Sequence, residues 1–159
     1  MSRDQDRASV RIVDVFDAPR EVVFAAWTQP DRLKRWWGPG FFETVFAEVD
    51  LRPGGRYELL LEPGSMRLVG EFREVTPPQR LVYTWRWVEG VPDTRESLVT
   101  IEFREAGAGT QVVLVHDNFV GPGPVEMYDE GWRSGLDKLR AFLRAKETSN
   151  AERHQRDPH

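Results

Sequence analysis

Apolar residues recur three or four positions apart along residues 123–146: Val125, Tyr128, Trp132, Leu136, Leu139 and Leu143, with Phe142 beside the last. That spacing draws one stripe along one face of a helix, and such a stripe must be buried. Pro124 suits the first helical position, where its missing N–H is no loss. Glu126, Asp129 and Glu130 lie towards the start and Lys138, Arg140, Arg144 and Lys146 towards the end, as the helix dipole favours. Gly131 and Gly135 interrupt the pattern on the flank shared by Tyr128 and Trp132. Each costs about 1 kcal/mol against alanine inside a helix. Two purposes fit them: close approach of a neighbouring strand, or room for a ligand between helix and sheet.

Upstream the period is shorter. Val10 to Phe16 reads as a strand that ends at Asp17-Ala18-Pro19, and Asp17 is expected to cap a short helix whose Val23, Phe24 and Trp27 share a face. Thr28-Gln29-Pro30 breaks that helix, and Asp31 to Trp36 forms a second with Leu33 and Trp36 inward. The pair ends in the aromatic turn Trp36-Trp37-Gly38-Pro39-Gly40, whose two large rings either edge the mouth of a pocket or, for Trp36, anchor the helices. Strands follow at Phe41–Val49, around Tyr57–Leu61, and at Arg67–Val75, Leu81–Trp87, Ser97–Phe103 and Thr110–His116. Pro53-Gly54-Gly55, Glu62-Pro63-Gly64-Ser65, Pro77-Pro78, Gly90-Val91-Pro92-Asp93 and Gly107-Ala108-Gly109 mark the turns. Alternation puts Leu81, Tyr83, Trp85 and Trp87 on one side, which is unusually aromatic. Short turns favour an antiparallel meander. The fold class is therefore α+β: a curved antiparallel sheet wrapped around a long C-terminal helix, with two short helices closing one end.

Composition narrows the partners. The 159 residues, 40% hydrophobic and 30% charged, suit a single domain over 9–146, with polar stretches at 1–8 and 147–159 expected to be disordered tails. Net charge is −4, from 22 Lys+Arg against 26 Asp+Glu, and the charges are interspersed, so no basic stripe exists to track nucleic acid. The chain has no cysteine, hence no disulfide, thiolate nucleophile or cysteine metal site. Neither a signal peptide nor a membrane span is legible, and a cytoplasmic location is expected. His154 and His159 fall in the tail without convergent ligands, so no metal and no cofactor is expected.

Candidate chemistry is sparse. It consists of His116, the carboxylates Glu48, Glu58, Glu71 and Glu74, and the phenols Tyr57, Tyr83 and Tyr128. His116 and Asp117 are strand neighbours whose side chains point to opposite faces, so they do not orient each other. There is no activated-serine motif, metal triad or dinucleotide fingerprint. Catalysis is not expected unless a second polar group lies within hydrogen-bond reach of His116.

Several motifs resemble the activator of Hsp-ninety ATPase homologue-like family of the START-like (SRPBCC) superfamily. They are Asp17-Ala18-Pro19, Thr28-Gln29-Pro30, Trp36-Trp37-Gly38-Pro39, Arg52-Pro53-Gly54-Gly55, the run from Gly70 to Trp85, Gly109-Thr110 with His116, and Gly131-Trp132. The resemblance covers about 10–145 and implies a helix-grip fold with a hydrophobic cavity between sheet and terminal helix. Superfamilies of this kind host lipid binders, cyclases and co-chaperone domains on one scaffold. The eukaryotic co-chaperones of the group carry an additional N-terminal domain for which this chain is expected to have no room.

The leading expectation is a binder of a hydrophobic, aromatic or polycyclic small molecule. Trp36, Tyr57, Trp85, Trp87 and Trp132 would line the site with Val99, Ile101, Leu114 and Gly135, and His116 would add a polar contact. A protein-interaction or co-chaperone-like module, with a protein client or a homodimer as partner, is the alternative. A cyclase- or hydrolase-type enzyme using His116 stands behind both.

Overall fold

The computed structural model describes residues 9–90, 95–117 and 125–156, with side chains as far as residue 145. Its elements run in the order β1 (Val10–Phe16), α1 (Arg20–Thr28), α2 (Pro30–Trp36), β2 (Glu43–Val49), β3 (Arg56–Glu62), β4 (Met66–Thr76), β5 (Arg80–Glu89), β6 (Ser97–Ala106), β7 (Gly109–Asp117) and α3 (Val125–Arg156). The strands form one sheet in the order β1-β7-β6-β5-β4-β3-β2, antiparallel throughout. The expected meander is thus β2 to β7. β1 joins its β7 edge, with Val10 opposite His116 and Phe16 opposite Thr110.

Curvature has a local cause. The register slips between Thr44 and Phe46 in β2, and between Arg67 and Leu68 and between Phe72 and Glu74 in β4. An extra residue in one strand bends it and increases its twist. Gly70 lies between the two β4 irregularities. The Tyr57 ring passes over it to donate its hydroxyl to the Thr84 carbonyl oxygen at 2.6 Å, and the Glu71 N–H donates to Thr84 Oγ1 at 2.8 Å. A Cβ at Gly70 would run into that same carbonyl oxygen and the Tyr57 ring.

On the concave face the buried residues of β5, β6 and β7 meet Trp132, Leu136, Leu139 and Leu143 of α3. Arg140 fastens the helix to the edge strand. It donates to Asp14 Oδ1 at 2.6 Å and sits 4.9 Å from the centre of the Phe16 ring. At the other end Trp27 packs on Trp36 and Phe103, with ring centres 4.9 and 5.8 Å apart, and Trp36 donates its indole N–H to the Ala26 carbonyl at 2.9 Å. Trp36 therefore anchors α2 on α1. This is the helix grip that the sequence leads one to expect. Among the described residues no helix is long and apolar enough to cross a membrane.

Three local expectations are corrected. Asp17 does not cap α1: Pro19 is the N-cap, its carbonyl accepting from the N–H groups of Val22 and Val23. Its extended backbone puts the helix start at Arg20, three residues past Asp17. Phe41 and Phe42 precede β2 and belong to the aromatic turn. α3 does not stop near Lys146 but continues to Arg156, since neither glycine nor proline stands between Leu136 and Arg156 to end it. Residues 1–8, the 91–94 part of the Gly90 loop, Pro124 and His159 lie outside the described residues, as does the side chain of His154.

Gly70→Ala is expected to destabilise the protein by about 1–3 kcal/mol or more, as overpacking does where the obstacle is backbone. Urea unfolding of the variant beside wild type measures it, and an unchanged midpoint would show that Tyr57 does not need the open space over Gly70.

Candidate functional site

The first turns of α3 stand off the sheet where β5 ends. Between them, and beneath the 37–42 turn, lies a cavity of about 480 Å³. Small-molecule sites occupy about 300–1,000 Å³. Trp85 and Trp87 of β5 form one wall, Tyr128, Trp132 and the bare backbone of Gly131 and Gly135 another, and Trp36, Trp37 and the turn a third, with Met66 at the start of β4. The walls brace one another. The Trp85 ring centre lies 5.5 Å from Trp37, 5.7 Å from Trp87, 5.8 Å from Tyr128 and 5.4 Å from Trp132. Trp87 donates its N–H to the Tyr128 hydroxyl at 3.1 Å, so sheet and helix are bridged across the cavity's rim.

The turn is held by α3. Lys138 Nζ donates to the carbonyls of Gly38, Gly40 and Phe42 at 2.9, 3.1 and 2.8 Å, and the Gly40 N–H donates to Ser134 Oγ at 2.6 Å. Burial lowers the Lys138 pKa, while the nearby Glu43 carboxylate opposes that shift. The two helical glycines face this turn rather than a strand. A Cβ on Gly131 would lie 3.5 Å from Pro39 Cβ and one on Gly135 3.7 Å from the Gly38 oxygen, both ordinary contacts. Steric necessity does not explain either glycine. Their missing side chains leave open space in the cavity instead.

Of the residues expected at the site, Trp36, Trp85, Trp87, Trp132 and Gly135 line the cavity. Tyr57 does not, because its ring lies over Gly70, and burial and neighbouring Tyr83 push its pKa well above the usual phenol value. Val99, Ile101, Leu114 and His116 are completely buried and lie outside the lining. Sequence reading missed Met66 and Tyr128 as wall residues and took Trp37 only as a ring that could edge a pocket mouth. Tyr128 stood in the helical stripe and Trp37 in the aromatic turn, whereas nothing in the sequence marked Met66.

His116 has a partner on each ring nitrogen. Trp132 Nε1 donates to Nδ1 at 3.1 Å, and Ser97 Oγ lies 2.7 Å from Nε2. An indole N–H can only donate, so Nδ1 must be bare and Nε2 must carry the proton. His116 then donates to Ser97, whose own hydroxyl is directed at the Trp85 carbonyl, 3.4 Å away. A catalytic serine–histidine pair needs the reverse polarity, with the imidazole accepting the serine proton. Burial also lowers the His116 pKa from 6.5 to about 3, which makes it a poor base near neutrality. The second polar group that an enzyme would require is present in Ser97, but it is arranged for structure. Among the described residues Trp85 Nε1 is buried with no hydrogen-bond partner, a state that costs about 1–3 kcal/mol.

Comparison with known proteins agrees with this architecture. The family model described as Activator of Hsp90 ATPase homolog 1-like protein matches residues 17–144. No curated protein matches the chain. Among solved structures, the AHSA1 protein of Silicibacter pomeroyi is similar at 26% identity and a TM-score of 0.76, covering 87% of this chain and 99% of that one. A protein of Chromobacterium violaceum is 27% identical with a TM-score of 0.74, covering 84% and 94%. CalU16 of Micromonospora echinospora is 28% identical with a TM-score of 0.66, covering 91% and 82%.

The His116 geometry sets a pH dependence. Its folded pKa of about 3 lies below the 6.5 of an unfolded histidine, so between these values the unfolded chain binds the extra proton. Its contribution to stability is complete above pH 6.5 and declines as pH falls, by at most roughly 1.4 kcal/mol per pH unit, towards about 3. Urea melts from pH 7 to pH 4 should show this slope, and His116→Asn should flatten it. Equal slopes in the two proteins would mean that His116 is not held neutral.

Proposed function

The chain belongs to the Activator of Hsp90 ATPase homolog 1-like protein family, and from that premise and the cavity we propose that it binds an apolar aromatic or polycyclic small molecule between α3 and β5. The observation that carries this reading is the cavity of about 480 Å³ whose walls are indole, phenol and bare glycine backbone. Space of this kind is ordinarily filled by a protein's own side chains. Here two consecutive turns of α3 carry glycine where a leucine or methionine would fill it, despite a helix-propensity cost of about 1 kcal/mol each. Two exposed apolar side chains of the lining, Phe41 at 77% and Met127 at 62% exposure, border the opening and suit the entry of an apolar guest.

Those same two side chains support a second reading, in which the rim docks on a protein client as a co-chaperone-like module. The concave shape favours the small molecule, because a flat protein surface leaves such a depth unfilled. No step of catalysis is part of the proposal.

Native mass spectrometry of the purified protein is expected to retain a small-molecule adduct. With a polycyclic aromatic at a hundred times its Kd, stability should rise by about 2.7 kcal/mol, or roughly 5–10 °C in Tm. Gly135→Leu should abolish the adduct and the shift while the protein stays folded by circular dichroism. A chemically diverse set of polycyclic, acyl and phenolic compounds that shifted no melting curve and left no adduct would refute ligand binding and leave the client reading.

A further inference from the structure

The cavity divides the chain's six tryptophans into two groups. Trp27, Trp36, Trp87 and Trp132 each donate their N–H, to the Tyr83 hydroxyl, the Ala26 carbonyl, the Tyr128 hydroxyl and His116 Nδ1 respectively. Among the described residues the Trp85 N–H is buried with no partner, and the Trp37 N–H, also without a protein partner, is not fully buried. Both unpaired indoles line the cavity, and their ring centres are 5.5 Å apart. Buried donors in folded proteins are satisfied in the great majority of cases. The exception at Trp85, in the wall of a cavity and beside the accessible N–H of Trp37, points to an acceptor that a guest supplies.

Charge narrows the kind of acceptor. Among the described residues Glu130 is the one acidic or basic side chain in the lining. The nearby ammonium of Lys138 is committed to the carbonyls of Gly38, Gly40 and Phe42. A carboxylate or phosphate on the guest would therefore meet the Glu130 carboxylate and, among the described lining residues, no cation. An uncharged carbonyl oxygen can take an indole N–H without such repulsion, and the flat rings around it match an aromatic skeleton. We propose that the cavity selects aromatic ketones over hydrocarbons and carboxylates of the same shape, the carbonyl oxygen accepting from the indole of Trp85, Trp37 or both. This rests on the small-molecule reading above and names the chemical class within it.

Fluorene, fluorenone and fluorene carboxylate make the test, since they share one skeleton and differ in the polar group. Titration calorimetry on the full chain is expected to rank fluorenone above fluorene by roughly two- to tenfold, the range that one net hydrogen bond gives, with the carboxylate below fluorenone. In nitrogen–proton correlation spectra of wild type, the indole N–H signals of Trp37 or Trp85 should move downfield with fluorenone and not with fluorene. Trp85→Phe should reduce the preference for the ketone while fluorene still binds, and the wild-type spectra stand if that variant fails to fold. Equal affinity for fluorene and fluorenone, tighter binding of the carboxylate, or an indole shift common to ketone and hydrocarbon overturns the proposal while leaving ligand binding intact. If none of the three probes binds, this proposal falls together with the reading it rests on.

Discussion

The indole of Trp132 donates to His116 on β7 while its ring faces Trp27 of α1, Trp37 of the turn and Trp85 of β5, at 6.2, 6.3 and 5.4 Å. One side chain on α3 thereby meets the sheet, the first helical segment and the turn at once. It also stands where the core-facing and cavity-facing residues of α3 meet. The stripe of Leu136, Leu139 and Leu143 is buried against the sheet, whereas Tyr128, Gly131 and Gly135 border open space. A core and a cavity can adjoin in this fold because a hydrogen-bonded indole stands at the boundary and needs no ligand to hold its place.

Much of this could be read in the chain. The three- and four-residue spacing from Val125 to Leu143 fixes which face of α3 is buried, and alternation fixes which face of β5 to β7 is inward. Alternation says nothing of position along the strand, and here the site expectation went astray. Pairing sets Trp85 opposite Ser97, then Tyr83 in a row with Val99 and His116, then Leu81 in a row with Ile101 and Leu114. Each row lies further from the cavity end, so inward residues of equal hydrophobicity become wall in the first row and deep core in the others. Register between strands distant in sequence decides this, and no single strand records it. Met66 was invisible for the same reason, being brought to the cavity by the pairing of β3 with β4.

The Ser97–His116 pair shows how little residue identity alone says about chemistry. The same two side chains at hydrogen-bond distance make a nucleophile when a carboxylate accepts from Nδ1. They make a structural tie when an indole donates to it. One proton on one ring nitrogen separates the two, and the neighbour from α3 decides where it sits. A low pKa here is the result of packing an imidazole beneath a helix, and its use is to join β6, β7 and α3 without introducing a buried charge.

The pairing of β1 with β7 bears on how the chain assembles. Phe16 lies opposite Thr110, so nearly the whole sheet intervenes between the two partners of this ladder. β2 to β7 can zip through successive hairpins, each closing a short loop, whereas the last ladder must close one long loop whose entropy is recovered only on completion. Until then β7 presents an open edge with its backbone groups unpaired. Arg140 reaches Asp14 and Phe16 from α3, so the segment latest in sequence secures the segment earliest in sequence. During synthesis β1 therefore waits until β7 has emerged, and the contact that secures it there comes later still, from α3.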